Sequence, residues 1–155
     1  MMKKIVRIIA AFFVSFFLLA MFMLLALLIA APMVNDHKAK KTADKLADLP
    51  LPDKTEYIEQ AYKAGKLVGN GNGMQYFGAV LIKSELSAEE LQEYYLRFAT
   101  NDEDCVVEPQ VSAEIKIIEH EQLRFNTDIL GDNYYMVYSW GDNPTIFHSF
   151  DIRGH

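Results

Sequence analysis

The feature that most constrains this chain is an uncharged run over residues 8–34. It has 27 residues, and Ser15 is its one clearly polar side chain. As a helix, such a run spans about 40 Å, more than the roughly 30 Å hydrocarbon core of a bilayer. Apolar residues occupy every side of it, whereas a helix lying in the membrane surface has a polar face. The run therefore predicts a single transmembrane helix, with residues 1–34 as a signal anchor and residues 8–34 in contact with the lipid bilayer.

A cleavable signal peptide is the alternative interpretation, because the chain begins Met-Met-Lys-Lys. The apolar core of a signal peptide has about 7 to 15 residues, roughly half of this run. Residues 28–32 contain no clean small-x-small cleavage pattern, and Pro32 would follow the most natural cut. We therefore expect the segment to remain in the mature protein.

The charges beside the run give conflicting evidence on orientation. Basic residues near a span favour the cytoplasmic side, and more of them follow the run than precede it. The very short basic N-terminal tail, however, is typical of a signal anchor whose following domain is exported. We expect the N-terminus inside and the soluble domain outside the cytoplasm. The basic residues are Lys3, Lys4 and Arg7 before the run, and Lys38, Lys40, Lys41, Lys45 and Lys54 after it.

Residues 35–54 are predicted to form a juxtamembrane helix and a proline-containing linker. Ala39, Ala43 and Leu46 recur at helical spacing. The prolines at 50 and 52 end the helix, because proline lacks a backbone N–H and restricts the residue before it. The helix could be a basic segment against lipid headgroups or a solvated spacer. Three aspartates among its lysines favour the spacer.

Residues 55–155 are predicted to form an acidic globular domain of a length that can bury one core. They hold 17 acidic and 7 basic side chains, a balance of −10. Such a domain repels phosphate backbones, so we expect no nucleic-acid partner and no direct adhesion to anionic lipid. The chain has one cysteine, Cys105, which excludes an internal disulfide. The acids just before it disfavour a reactive thiolate, so we expect a buried structural cysteine.

The expected fold of this domain is α+β: an antiparallel sheet of about six strands with one helix packed on one face, in the order β-β-α-β-β-β-β. Asn-Gly pairs in residues 69–73 predict a hairpin turn. Ser87 and Glu90 form a capping box at the start of a helix that runs to about residue 99. The apolar stripe of that helix is Leu91, Tyr94, Tyr95 and Phe98. The strands are expected at residues 55–68, 74–83, 105–111, 114–125, 134–140 and 145–153.

Catalytic and metal-binding sites are weakly indicated. His120 stands between two glutamates, but consecutive strand residues point to opposite faces. His148 falls among alternating apolar residues of the last predicted strand, where a core histidine is more common than a general base. Ser139, His148 and Asp151 have the residue types of a nucleophilic triad, but Ser139 has no nucleophile elbow around it. We therefore assign no catalytic, metal-binding or cofactor-binding residue.

Two further groups of residues are candidates for binding. Residues 102–104 with Glu108 are acidic but lack the spacing and central glycine of an EF-hand, so a solvated turn is expected. Tyr134, Tyr138 and Trp140 share one face of a predicted strand and form the candidate contact surface, since Tyr and Trp dominate interface hot spots. If the helix covers that face, these side chains are core.

The leading hypothesis is a membrane-tethered, extracytoplasmic, non-enzymatic binding or accessory domain with a protein partner at the membrane. One alternative is a small membrane-anchored hydrolase-like enzyme that uses His148 or His120. The other is a cytoplasm-facing subunit of a membrane complex.

Overall fold

The computed structural model describes residues 2–71, 73–100, 104–141 and 146–155. Its helices are α1 (Met2–Ala47) and α2 (Ala88–Leu96). Its strands are β1 (Thr55–Gly65), β2 (Gln75–Ser84), β3 (Val106–Pro109) and β4 (Tyr134–Trp140). Two 3-10 turns, His148–Phe150 and Ile152–Gly154, end the chain.

Helix α1 joins the uncharged run to the globular part without a break over 46 residues. It is the one helix among the described residues that is long and apolar enough to cross a membrane. The rest of the protein buries none of its most apolar 18-residue stretch. Pro32 lies inside the helix and removes one N–H donor without ending it. The sequence prediction of one long apolar N-terminal helix is confirmed.

The sheet is antiparallel, and within the described residues it has four strands in the order β1-β2-β4-β3. Strand β2 is central, and its side chains are buried on both faces. The α+β class is confirmed, but the prediction of about six strands is wrong. Strand β1 also ends at Gly65 instead of residue 68, so the connection to β2 is a long loop and not a tight turn.

The sequence predicts a strand at residues 114–125, but this segment crosses one face of the sheet as irregular chain. Their strand-like pairing is a single bridge between Glu114 and Arg124. Ile115, Ile118 and Phe125 are buried against the sheet. Positions three and seven residues apart reach one face only if the chain turns, whereas a strand alternates with period two. The tertiary contacts of this segment therefore override its strand-like composition.

The described part of the last predicted strand, residues 146–153, is built around two 3-10 turns and is not extended, while Thr145 lies outside the described residues. Ile146 and Ile152 are 82% and 79% exposed, so the alternating apolar side chains cover no core. Asp151 between them is fully buried. Its carboxylate accepts a hydrogen bond from the Arg153 backbone N–H and caps the second turn. This local polar cap favours a turn over an extended strand.

Helix α2 begins as predicted. The Ser87 hydroxyl accepts from the Glu90 N–H at 3.2 Å, and the Ser87 N–H donates to the Glu90 carboxylate at 2.8 Å. The capping box is therefore confirmed. Leu91 and Tyr95 are the buried side chains of the helix. They pack on one face of the sheet with Val107 and other apolar residues.

The lower part of α1, residues 35–47, packs on the same face as α2 and is not a solvated spacer. Gly78 in β2 lies directly against it: a Cβ at that position would be 2.7 Å from the Thr42 carbonyl carbon and 2.9 Å from Ala43 Cα. The buried helix positions are Asn35, Ala39, Thr42, Ala43 and Leu46. Small residues bring the two backbones together. Their helical spacing is visible in the sequence, but alanine is too weakly hydrophobic for that spacing to predict burial.

Helix α1 and strand β2 run in the same direction. Tyr76, near the start of β2, contacts Asn35, and Ile82, near its end, packs with Leu46. The start of β2 is therefore the end of the sheet closer to the candidate membrane span, and we call it the membrane-near end. Ser84 marks the far end.

Candidate functional site

His120 is engaged in a structural contact at the membrane-near end of the sheet. One nitrogen of its ring lies 2.6 Å from the Gly69 carbonyl oxygen. Glu119 accepts a hydrogen bond from the Gly69 N–H at 3.0 Å. The backbone N–H groups of both residues donate to the Leu67 carbonyl. This pair therefore holds the loop between β1 and β2 in place.

The three residues of the potential triad are not joined by hydrogen bonds. The Ser139 hydroxyl is buried and has no hydrogen-bond partner among the described residues. The Asp151 carboxylate accepts from Asn35 and Arg153. His148 lies beside its neighbour Ser149, with 3.2 Å between the ring nitrogen and the hydroxyl. Asp151 and His148 therefore have different partners, and neither of them contacts the Ser139 hydroxyl that a proton relay would need.

The potential metal ligands are likewise dispersed. Within the described residues, no three His, Cys, Asp or Glu side chains are close enough to hold a metal ion. Of the acidic stretch at 102–104, only Asp104 lies in the described part. Glu108 accepts a hydrogen bond from the Tyr138 hydroxyl at 2.9 Å. Burial, together with this carboxylate, raises the pKa of Tyr138 to about 12. Glu108 thus pairs with a phenol in the core.

The candidate contact surface of Tyr134, Tyr138 and Trp140 runs along one face of β4 from the far end to the membrane-near end. Tyr138 is 8% exposed, and the other two are partly buried against the same core cluster. The Phe77 ring lies 5.7 Å from the Tyr138 ring and 5.0 Å from the Trp140 ring. The irregular segment 114–125, and not a helix, covers this face. Only the outer parts of Tyr134 and Trp140 are therefore available to a partner.

A cavity of about 400 Å³ opens on the opposite, helix-covered face; we call it the helix-side cavity. Its volume is in the range of small-molecule sites, which are mainly apolar with a few polar groups. Ser139 belongs to its lining, and a buried hydroxyl without a partner is a free donor and acceptor for a ligand. The lining residues are Thr42, Lys45, Leu46, Asp48, Leu49, Phe98, Thr100, Cys105 and Ser139.

This cavity is not evident from the sequence because its lining comes from four separate segments. From the sequence, Ser139 is a candidate only for a nucleophile, and Thr42 belongs to the predicted juxtamembrane helix. The alternation in β4 places Val137 and Ser139 on the face opposite Tyr138, which was a usable signal. Nothing in the sequence, however, placed α1 across that face. The prediction of a buried Cys105 is confirmed, since this side chain is 5% exposed.

A second, polar depression lies at the far end of the sheet. Lys54, one of its lining residues, has a φ of 60°, a conformation rarely adopted by residues other than glycine. Its carbonyl accepts from the Glu85 N–H at 3.2 Å, which fixes the chain as it enters β1. The depression measures about 460 Å³. Its lining is Lys54, Thr55, Glu56, Lys83, Ser84, Glu85 and Asn133.

A buried polar network ties the C-terminal turns to α1 at the membrane-near end. The Asn35 side-chain amide nitrogen donates to the Asp151 carboxylate at 3.0 Å, and the Tyr76 hydroxyl donates to the Asn35 side-chain oxygen at 3.1 Å. The Arg153 guanidinium donates to Asp151 at 2.8 and 2.9 Å and to Asp36 at 2.8 Å. One carboxylate thus connects the end of the chain to the helix.

The charges in this network stabilise one another. Burial by itself would raise the pKa of Asp151, but hydrogen bonds from Arg153 and Asn35 outweigh it and hold that pKa below its ordinary value. The hydrogen bond to Asp151 also raises the pKa of Arg153, against the effect of burial. Both groups are therefore charged at neutral pH.

No protein-family model, curated protein or solved structure matches this chain.

Proposed function

We propose that this chain is a membrane-anchored, non-enzymatic accessory protein whose acidic domain binds a protein partner beside the bilayer. The observation that supports this most is the continuity of α1, which runs from the apolar stretch into the domain core at Gly78. A flexible tether lets a domain swing, whereas a helix that is part of the core fixes its height and orientation. Confinement to one layer raises the effective concentration toward anything else there, so a modest interface is occupied.

The helix-side cavity is the place where we expect the partner to dock. Thr42 in its lining is eight residues beyond Val34, which corresponds to about 12 Å along a helix. The extramembrane part of a neighbouring membrane protein can reach that height. Apolar walls and the unpartnered Ser139 hydroxyl suit an apolar side chain with one hydrogen-bonding group. The balance of −10 over residues 55–155 favours a basic partner surface, and this attraction weakens as salt rises.

Site-specific photo-crosslinking in native membranes tests this proposal. A photoreactive amino acid at Lys45, an exposed residue of the cavity lining, should capture a discrete protein partner, and less of it at high salt. The same group at Val111, which is 70% exposed and outside the cavity, is the matched control. Ser139→Leu fills the cavity and should reduce capture several-fold, whereas Ser139→Ala should not. Equal capture from both positions, or capture that survives Ser139→Leu, would contradict the proposal.

The side of the membrane remains a separate part of the proposal. The short basic N-terminal tail supports a domain outside the cytoplasm. A reporter fused after His155 that is active only outside the cytoplasm should therefore give signal. Activity of a cytoplasm-only reporter would reverse the orientation and favour the subunit alternative.

The hydrolase-like alternative makes a different prediction. If His148 or His120 were a general base, the double substitution His120→Asn with His148→Gln would abolish turnover. Under the accessory-protein proposal, the same double variant should capture the partner as well as the unmodified chain. Loss of a measurable hydrolytic turnover, with the fold intact, would favour the enzyme.

A further inference from the structure

The end of the chain exposes apolar side chains although its backbone is fixed. Ile146 is 82% exposed, Ile152 is 79% exposed and Phe150 is 37% exposed. The backbone is held in place: the Lys66 N–H donates to the Arg153 carbonyl, and the Gly73 N–H donates to the Gly154 carbonyl, each at 2.7 Å. Ile152, directly before these two residues, is therefore not part of a frayed end. We call residues 146–155 the C-terminal foot.

The foot lies level with the end of the uncharged run. The Arg153 guanidinium donates to the Pro32 carbonyl at 3.2 Å, and α1 contacts the first 3-10 turn of the foot. Ala31 is fully buried, although it belongs to the uncharged run. The far end of the domain, by contrast, projects away from this level along β2.

The rise of a helix per residue gives the depth of the foot relative to the bilayer. If Ile8 marks one edge of the hydrocarbon, about 20 residues cross its roughly 30 Å, and the helix leaves it near Leu27. Ala31 and Pro32 are then about 6 to 8 Å farther along the axis, within the headgroup layer on that side. Any tilt of the helix brings them deeper. The exposed side chains of the foot therefore meet the layer in which apolar residues of interfacial segments insert.

The surroundings of the foot favour lipid over a protein partner. On α1 at the same level, Ile29 and Met33 are 69% and 70% exposed, so the helix itself presents apolar surface at this depth. The charge of Arg153 is already neutralised by Asp36 and Asp151. Burial of apolar surface, and not attraction to anionic headgroups, is therefore the force available to the foot.

We propose that the C-terminal foot is a second membrane contact, which inserts Ile146, Phe150 and Ile152 into the interface of the bilayer that α1 crosses. With α1, the foot gives the domain two points of attachment and so fixes its rotation about the helix axis as well as its height. This inference requires α1 to span the bilayer, but it does not depend on the helix-side cavity or on a protein partner.

Depth-dependent fluorescence quenching on the full chain tests the foot. An environment-sensitive NBD dye is attached through Ile152→Cys, with Cys105→Ser removing the native thiol. The protein is placed in phosphatidylcholine nanodiscs, with or without lipid that carries a nitroxide on the upper acyl chain. Leu130→Cys is the matched control, because Leu130 is 83% exposed and lies close to the far end of the sheet. Dye attached through Ile146→Cys gives an independent second reading of the foot.

Dye on the foot should emit at shorter wavelength than dye at position 130 and be quenched several-fold more by the nitroxide lipid. Adding anionic lipid should leave both readings unchanged. Equal quenching at the foot and at position 130 would overturn the inference. Dye on the foot that is shielded from aqueous iodide but not quenched by the lipid would also overturn it, because a protein or a second copy would then cover the foot. Emission of Trp140 verifies that each labelled variant is folded.

Discussion

Replacing Gly78 with alanine tests whether α1 belongs to the domain core. The new Cβ would be 2.7 Å from the Thr42 carbonyl carbon and 2.9 Å from Ala43 Cα. Both atoms are helix backbone, which cannot rotate away as a flexible side chain would. The helix must therefore move off the sheet or the strand must bend.

The two interpretations of α1, a solvated spacer and a helix packed on β2, predict opposite effects of this substitution on the stability of the domain. If the helix were a solvated spacer, Gly78→Ala in a strand would stabilise the domain by about 0.5 to 1 kcal/mol, because glycine loses more backbone freedom on folding. With the helix packed on β2, overpacking costs about 1 to 3 kcal/mol and outweighs that gain. Because the new Cβ meets helix backbone, we expect an overpacking cost in the upper part of that range. After the gain from replacing glycine is subtracted, the free energy of unfolding should fall by about 1 to 2 kcal/mol.

Thermal unfolding of the full chain in detergent micelles or nanodiscs measures this loss. Trp140 is the one tryptophan of the chain and packs on Phe77 in the core, so its emission reports the domain. For a domain of roughly 100 residues, each kcal/mol lowers the midpoint by about 4 °C or more. Gly78→Ala should therefore unfold at least several degrees below the unmodified protein.

Gly65→Ala is the matched control for this experiment. Gly65 also lies in a strand, but a Cβ there would meet its nearest neighbours at 3.5 and 3.6 Å, which is ordinary van der Waals contact. This variant should keep or slightly raise the midpoint. A Gly78→Ala protein as stable as the Gly65→Ala protein would refute the packing of α1 on β2.

Three further outcomes follow from the structure. A fragment of residues 35–155 should unfold cooperatively in water, whereas residues 55–155 should not, because removing the lower part of α1 uncovers one face of β2; circular dichroism melts compare the two. Ser87→Ala removes the N-cap of α2 and should lower the unfolding free energy by about 1 kcal/mol in denaturant titration. Asp151→Asn should lower it by about 1.5 to 3 kcal/mol at neutral pH, because Arg153 loses its buried charged acceptor. The pKa of Asp151 is lower in the folded protein than in the unfolded chain, where it is about 4. The stabilisation by Asp151 is therefore complete above about pH 4 and is lost as the pH falls through the folded pKa. The stabilities of the unmodified protein and of Asp151→Asn should converge in strong acid.

The elements that sequence predicts correctly are those whose signal is local. The apolar run gives α1, the capping box gives the start of α2, and continuous apolar residues give β2 as a strand covered on both faces. Each of these depends on residues near one another in the chain. Pairing between neighbouring strands β1 and β2 also follows from proximity.

The elements that sequence reasoning misplaces owe their conformation to distant contacts. Residues 35–47 carry charges of both signs on their outer side, and their buried side is mostly small residues. These small residues predict a packing face only once it is known that Gly78 lies against them. Residues 114–125 bury three apolar side chains without strand spacing, because the sheet below them sets the pattern. Residues 146–153 resemble a strand, but the contact of Asp151 with Asn35, more than a hundred residues earlier, holds them as turns. The helix-side cavity depends on these same long-range contacts.

Hydrogen–deuterium exchange of the full chain in nanodiscs tests most directly whether a membrane-spanning helix continues into the domain core. Two stretches of α1 are read in one experiment: the uncharged run of residues 8–34 and the lower part, residues 35–47. We predict slow exchange through both, with the amides of residues 35–47 opening at the same free energy as those of β2. Fast exchange across residues 35–47, between a protected span and a protected sheet, would show a flexible tether and contradict the account.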